Sequence, residues 1–286
     1  MTPIGRVAIV GAGPGDPELI TVRGLARIRS ADVLVYDRLV APELLTEAPA
    51  EAERIFAGKA KGYAALTQRQ IEAVLIERAR AGKQVVRLKG GDPYLFGRGG
   101  EEVAALIAAG ISVELVPGIS SALAVPAAAG IPVTHRDHSS ALTVVTGHED
   151  PAKTESSLDW PWLAAAPGTV VILMGLSQLP QITKTLLAHG RAADTPAAVI
   201  AAGTLPEQRV VTAPLVELAA AAQDAQLVSP ALVVLGDVVR VRQQLAASAL
   251  YGLPVDPVPG LDSRREPDPT LLVSSTSASV PGGSNG

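Results

Sequence analysis

Apolar runs and helical spacings alternate along the first half of the chain. Val7–Val10, Val33–Tyr36, Val85–Leu88 and Val113–Val116 are short runs that read as buried strands. Each is followed by a loop rich in glycine, proline or aspartate, and a helix-like stretch comes before the next strand. This alternation predicts a parallel sheet covered on both faces by helices. Asp16 and Pro17 are expected to open the first helix, because aspartate caps free backbone N–H groups and proline costs nothing where an N–H has no partner. Gln70–Ala81 reads as a further helix, stopped at Gly82.

A second series begins after Thr134-His-Arg-Asp137, with Ala141–Thr146, Thr169–Leu173, Ala197–Ala201, Arg209–Thr212 and Ala231–Leu235 as strands. The gap between Ala201 and Arg209 is too short for a helical crossover, so Ala197–Thr212 is expected to form an antiparallel pair within a mixed sheet. The expected fold is therefore α/β in two domains, with a parallel sheet over 4–137 and a mixed sheet over 138–246. Residues 252–286 are dense in proline, serine and glycine and read as a disordered tail.

Composition narrows the function classes. A chain of 286 residues fits about two domains at roughly 100–200 residues each. A net charge of −4 gives no general attraction for nucleic acid or an anionic membrane, so any anionic substrate must be held by local basic groups. With no cysteine, disulfides, thiolate metal sites and a cysteine nucleophile are excluded. Leu106–Val133 carries only Glu114 as a charge, but Pro117, Pro126, Pro132 and several glycines cut it too short to span a membrane. The first strand starts almost at once, without a signal-peptide pattern or room for a preceding domain, so a cytoplasmic single-activity protein is the expectation.

Three loops carry candidate chemistry. Gly11-Ala-Gly-Pro-Gly-Asp-Pro17 follows a strand as a dinucleotide fingerprint does, yet Asp16 stands where that fingerprint has its third glycine. A carboxylate there repels phosphate, which favours a nucleoside ligand without phosphate; a structural turn and a nicotinamide or flavin enzyme are the alternatives. Lys89-Gly-Gly-Asp-Pro-Tyr-Leu-Phe-Gly-Arg98 is too long and too glycine-rich for a plain connector. Its glycines admit backbone to a ligand, Asp92 can accept from hydroxyls or an amine, and Arg98 can fork onto a carboxylate. Gly118-Ile-Ser-Ser-Ala122 imitates a nucleophile elbow, but Ala122 replaces the final glycine and a hydrolase is disfavoured. His135 and His138 sit in a loop-like stretch that does not suit zinc, and no metal is expected. Taken alone, Asp37, Lys59 and Met174 also fit bland roles, as two solvated loop charges and a core filler.

Together, Ile9–Thr21, Tyr36-Asp-Arg-Leu-Val40, Arg87–Glu102, Val116-Pro-Gly-Ile119, Gly130–Asp137 and Thr146-Gly-His148 resemble the tetrapyrrole methylase family over roughly residues 6–239. The resemblance implies two α/β domains, usually in a homodimer, with S-adenosyl-L-methionine in the cleft between them and S-adenosyl-L-homocysteine as product. It implies cofactor contacts at Pro14, Gly90, Gly91, Asp92, Leu95, Ser120, Ser121, Met174, Gly203 and Ala231. Ser120-Ser121 departs from the threonine and alanine common in the family, which matters little where backbone makes the contact. By the same resemblance Asp37 is the proton acceptor and Lys59 the donor. Arg38, Arg98, His135 and Arg136, with Lys59 and Lys61 also in loops assigned to the cleft side, would hold the carboxylates of a tetrapyrrole. The Lys89–Glu102 and Thr134–Asp137 segments favour the branch that methylates uroporphyrinogen III twice, at C2 and C7, giving precorrin-2 through precorrin-1. Other readings are a later precorrin methylase, a dinucleotide-dependent oxidoreductase and a noncatalytic ligand-binding protein.

Overall fold

A computed structural model describes residues 3–58, 66–148 and 158–246; the tail expected over 252–286 lies outside them. The first half runs β1 (Arg6–Gly11), α1 (Val22–Arg29), β2 (Val33–Tyr36), α2 (Pro42–Thr46), β3 (Glu53–Phe56), α3 (Gln68–Arg80), β4 (Gln84–Lys89), α4 (Gly99–Ala108), β5 (Ser112–Val116) and α5 (Ser121–Ala128). Its strands form one five-stranded sheet in the order β3-β2-β4-β1-β5, with every pair parallel. Side chains alternate across it. Ala8, Val10, Leu34, Tyr36, Val86 and Leu88 pack with Ile28 and Leu44 on one face, while Val7, Ile9, Val33, Val35 and Val85 pack with Ile71, Leu75, Ala79 and Leu106 on the other. Both faces are thus dry, which is why the strands read as apolar runs rather than as alternating ones. Each such leucine or valine contributes about 1.5–3 kcal/mol on burial.

Two expectations for this half change. Asp16 caps only a single 3-10 turn, Pro17–Leu19, by accepting from Glu18 N at 2.8 Å; α1 starts later, capped by Thr21. Strand β3 was not anticipated. It is the sheet's edge, runs Glu-Arg-Ile-Phe with two charged residues before two apolar ones, and leaves all four positions half-buried, so it lacks the continuous apolar run of its neighbours.

The second half runs β6 (Leu142–Thr146), α6 (Trp160–Ala165), β7 (Thr169–Leu173), α7 (Leu179–Ala188), β8 (Pro196–Ala201), β9 (Arg209–Pro214), α8 (Leu218–Asp224), β10 (Ala231–Leu235) and α9 (Val238–Ala246). The sheet order is β6-β7-β10-β8-β9. Only β6 and β7 are parallel; β8 and β9 form the expected antiparallel pair, with Ala197 opposite Ala213. One face of this sheet packs on α6, α7 and α8 through Trp160, Leu163, Ile182, Leu186 and Leu218. The other face is covered by α5 and α9: Ala122, Val125, Ala129 and Ile131 share a core with Val171, Ala198, Ile200, Leu232, Val234 and Val238. Helix α5 therefore leaves the first sheet and closes the core of the second.

Candidate active site

All five strands of the first sheet point the same way, so their following loops gather at one edge, where ligands of parallel sheets bind. The three sequence-predicted loops meet there. Gly13 and Gly91 form an isolated bridge, with Gly91 N donating to Gly13 O at 2.6 Å, and Ala12 N donates to Lys89 O at 2.7 Å. A Cβ on Gly11 would sit 2.5 Å from Gly118 Cα and 2.7 Å from Gly91 O, so three chains cross where only glycine fits. Gly91 has φ +67, in the left-handed region, and a Cβ there would point between its own loop and the start of α5, 3.8 Å from Ser121 N. This is a cradle lined by backbone, suited to a ligand that packs against bare peptide.

The carboxylate of Asp92 closes the cradle. It accepts from Tyr94 N at 2.8 Å through one oxygen and from Gly118 N at 3.0 Å through the other. Its first task is thus to hold two loops in register, and the remaining lone pair on each oxygen is what it can offer a ligand. Ser120 caps α5 by accepting from Ala122 N at 3.2 Å, so its hydroxyl is engaged and the residue presents mainly backbone.

Of the remaining cofactor candidates, Met174, Gly203 and Ala231 come from the second sheet, while Pro14 and Leu95 reach it from loops of the first. Asp16 N donates to Thr204 Oγ1 at 3.1 Å, and a Cβ on Gly15 would meet Gly203 O at 3.3 Å, which brings Gly203 against the Pro14 loop. Ala231 pairs with Ala201, and Met174 lies one residue beyond the Leu173–Leu232 pair. Met174, Ala202 and Thr204 all have positive φ. For residues with side chains this conformation is uncommon. Met174 is 49% exposed, which argues against a core filler, and Leu95 packs onto the second sheet's core.

Asp37 heads an ionic cluster that sequence reading missed. Arg87 Nη2 donates to Asp37 Oδ1 at 2.8 Å; Arg87 Nε lies 3.4 Å from Glu102 Oε1, which also accepts from Lys89 Nζ at 2.7 Å and from Gln68 Nε2 at 3.2 Å. The side chain of Glu102 is fully buried and that of Arg87 is 2% exposed, whereas that of Asp37 is 32% exposed. Burial lowers the proton affinity of Lys89, the charge of Arg87 lowers it further, and Glu102 opposes both. The available signal was spacing: Val85, Arg87 and Lys89 share one face of a buried strand, and such basic residues need an anion on the helices covering that face.

The substrate candidates are less gathered. Arg98 caps α4 in the left-handed region and forks onto Glu101 at 2.9 and 2.6 Å, so the geometry foreseen for a substrate carboxylate is met by a neighbour. That pair is exposed and correspondingly weak. The exposed side chain of Arg38 makes no hydrogen bond or ion pair among the described residues. His135 and His138 stack with ring centroids 4.8 Å apart in a turn that pairs His135 with Ser139, and Arg136 between them is exposed. Lys59 and Lys61 lie outside the described residues. No helix among those described is long and apolar enough to cross a membrane.

A two-sheet α/β protein with a glycine cradle between the sheets defines a ligand-binding class, and comparison with known proteins narrows it. The model of the tetrapyrrole (corrin/porphyrin) methylases matches residues 6–219. The chain belongs to this family. It is 52% identical over 241 residues to the S-adenosyl-L-methionine-dependent uroporphyrinogen III methyltransferase of Methanosarcina barkeri, covering 84% of this chain and 94% of that one. It is also 49% identical to the siroheme synthase of Azotobacter vinelandii over 85% of its own length, but spans only 52% of that longer protein. Among solved structures, the uroporphyrin-III C-methyltransferase of Thermus thermophilus complexed with S-adenosylhomocysteine matches with a TM-score of 0.71, at 41% identity, over 83% of this chain and all of that one. A cobalt precorrin-4 methyltransferase matches with a TM-score of 0.74 at 28% identity, over 82% of this chain and 95% of that one.

Proposed function

We propose that this protein methylates uroporphyrinogen III with S-adenosyl-L-methionine, at C2 and then C7, giving precorrin-2 through precorrin-1. The observation that carries the reading is the convergence of Gly11, Gly91 and Gly118 at the carboxyl edge of the first sheet, directly against the Ser120–Ser121 start of α5. A cofactor without phosphate suits this cradle, because Asp16 and Asp92 both place carboxylates in the loops that form it. When bound, S-adenosyl-L-methionine supplies an electrophilic methyl group that an electron-rich pyrrole carbon takes without a protein nucleophile. Gly90, Gly91, Asp92, Ser120 and Ser121 hold one side of it, while Pro14, Leu95, Met174, Gly203 and Ala231 hold the other. Fixing both reactants contributes up to about 7–11 kcal/mol to such a reaction.

Asp37 accepts the one net proton that each methyl transfer releases from the macrocycle, and Lys59 is the donor in the accompanying tautomeric shift, where a proton added at one position is matched by one lost at another. Arg38, Arg98, His135 and Arg136 hold substrate carboxylates, Arg98 by exchanging Glu101 for the ligand. The division into 4–137 and 138–246, a homodimeric state and a cytoplasmic location complete the reading. It is tested by incubating the protein anaerobically with uroporphyrinogen III and methyl-labelled cofactor. Two labels per macrocycle are expected. None, from folded protein, would sink it, and label appearing only on a later precorrin would move the chain to another branch of the family.

A further inference from the structure

Among the charged side chains of the cluster around Asp37, Asp37 alone has substantial exposure. The side chains of Glu102, Arg87 and Lys89 are 0%, 2% and 5% exposed, and the chain of contacts runs Lys89–Glu102–Arg87 before surfacing at Asp37. Stability does not explain it. Apolar residues of similar volume usually replace a buried ionic group without loss, and here Glu102 Oε2 is buried with no hydrogen-bond partner, an arrangement that costs folding free energy. Arg87 is also fixed from a third direction, since its Nη1 donates to Leu88 O at 3.2 Å. Glu102 stands in the first turn of α4, the helix that follows the cradle loop, so cluster and cradle share one covalent frame.

We propose that Arg87 and Glu102 are positioning residues for Asp37: Arg87 aims its carboxylate through a 2.8 Å contact, and Glu102 holds Arg87 in place from the buried side. This rests on the reading of Asp37 as the proton acceptor. The charged groups bearing on Asp37 are Arg87 and Lys89 from β4 and Arg38 beside it in the chain; Glu102 from α4 bears on it through Arg87 and Lys89, and α3 contributes the uncharged Gln68.

The test is the pH profile of kcat for the full chain and three variants, with cofactor affinity measured by calorimetry in parallel. Glu102→Gln removes an anion from the cluster and should move the acid limb to lower pH by roughly 1 unit, the scale of one close charge, with a lower plateau rate. Lys89→Met removes a cation and should move the same limb upward. Cofactor affinity should stay at the wild-type value in both. Opposed shifts that follow the sign of the deleted charge are not produced by general loosening of the fold. Shifts in the same direction, or no shift in either variant, overturn the proposal provided Asp37→Asn has lost turnover. If Asp37→Asn turns over normally, the proton-acceptor reading itself falls and this inference with it. Should Glu102→Gln fail to fold, the direction of the Lys89→Met shift decides.

Discussion

A methyl group added at Gly118 would lie within 3.0 Å of Gly91 O and of the Gly11 backbone, whereas one added at Gly100, on the first turn of α4, meets nothing within 4 Å. Gly118→Ala should therefore destabilise by about 1–3 kcal/mol through overpacking and weaken cofactor binding, because the obstruction falls on the cradle. Gly100→Ala should instead stabilise by about 0.5–1 kcal/mol, as expected where glycine gives way to alanine in a helix. Thermal melting of the two variants, with cofactor titration, checks both. Arg98 makes a different case. Its partner Glu101 is as exposed as Arg98 itself, so breaking the pair should leave melting unchanged. Losing a fork onto a substrate carboxylate should raise the Michaelis constant roughly 10- to 150-fold. An unchanged constant in Arg98→Ala would leave its side chain with no role beyond the pair with Glu101.

Among the elements, α3 carries the most complete helix start. Thr67 Oγ1 accepts from Gln70 N at 3.3 Å while the Gln70 side chain accepts from Thr67 N at 2.8 Å, the reciprocal pair that satisfies two otherwise unpaired donors. Thr67→Ala should cost about 1 kcal/mol in chemical denaturation. It should spare the cofactor site, since Ile71, Leu75 and Ala79 still anchor the helix to the sheet. Gln68, in the same turn, reaches Glu102, so a Thr67→Ala variant whose kcat fell with its stability would tie this helix start to the ionic cluster. Helix α5 works at both ends: Ser120 and Ser121 face the cradle, while Ala122 and Val125 fill the second sheet's core.

At the scale of the whole molecule, α5 and the Asp16–Thr204 hydrogen bond join the sheets, and Gly203 sits between them. A Cβ on Gly203 would collide with both methyls and the Cβ of Val125. Gly203→Ala should thus push the loop after β8 away from α5 and weaken cofactor binding more than it lowers the melting temperature. Adding Val125→Ala removes the two nearest methyls and should restore part of the affinity; calorimetry on the single and double variants measures the coupling. If the double variant bound no better than Gly203→Ala, steric contact with α5 would not be the cause.

Local rules determined much of this protein. Strand positions follow from apolar runs that a sheet buried on both faces requires, and β8–β9 follows from a loop too short for a crossover. The glycine loops are legible because the chemistry of backbone approach is carried by a few adjacent residues. Tertiary structure decided the rest, because it depended on which distant residues meet. The spacing of Arg87 and Lys89 on a buried strand calls for an anion but does not say that Glu102 and Asp37 are the ones that meet Arg87. Nothing near Arg98 separates a substrate carboxylate from Glu101 as its partner, and the apolar face of α5 fits either sheet until both are folded. Periodicity says that a face is buried; only the assembled core says against what.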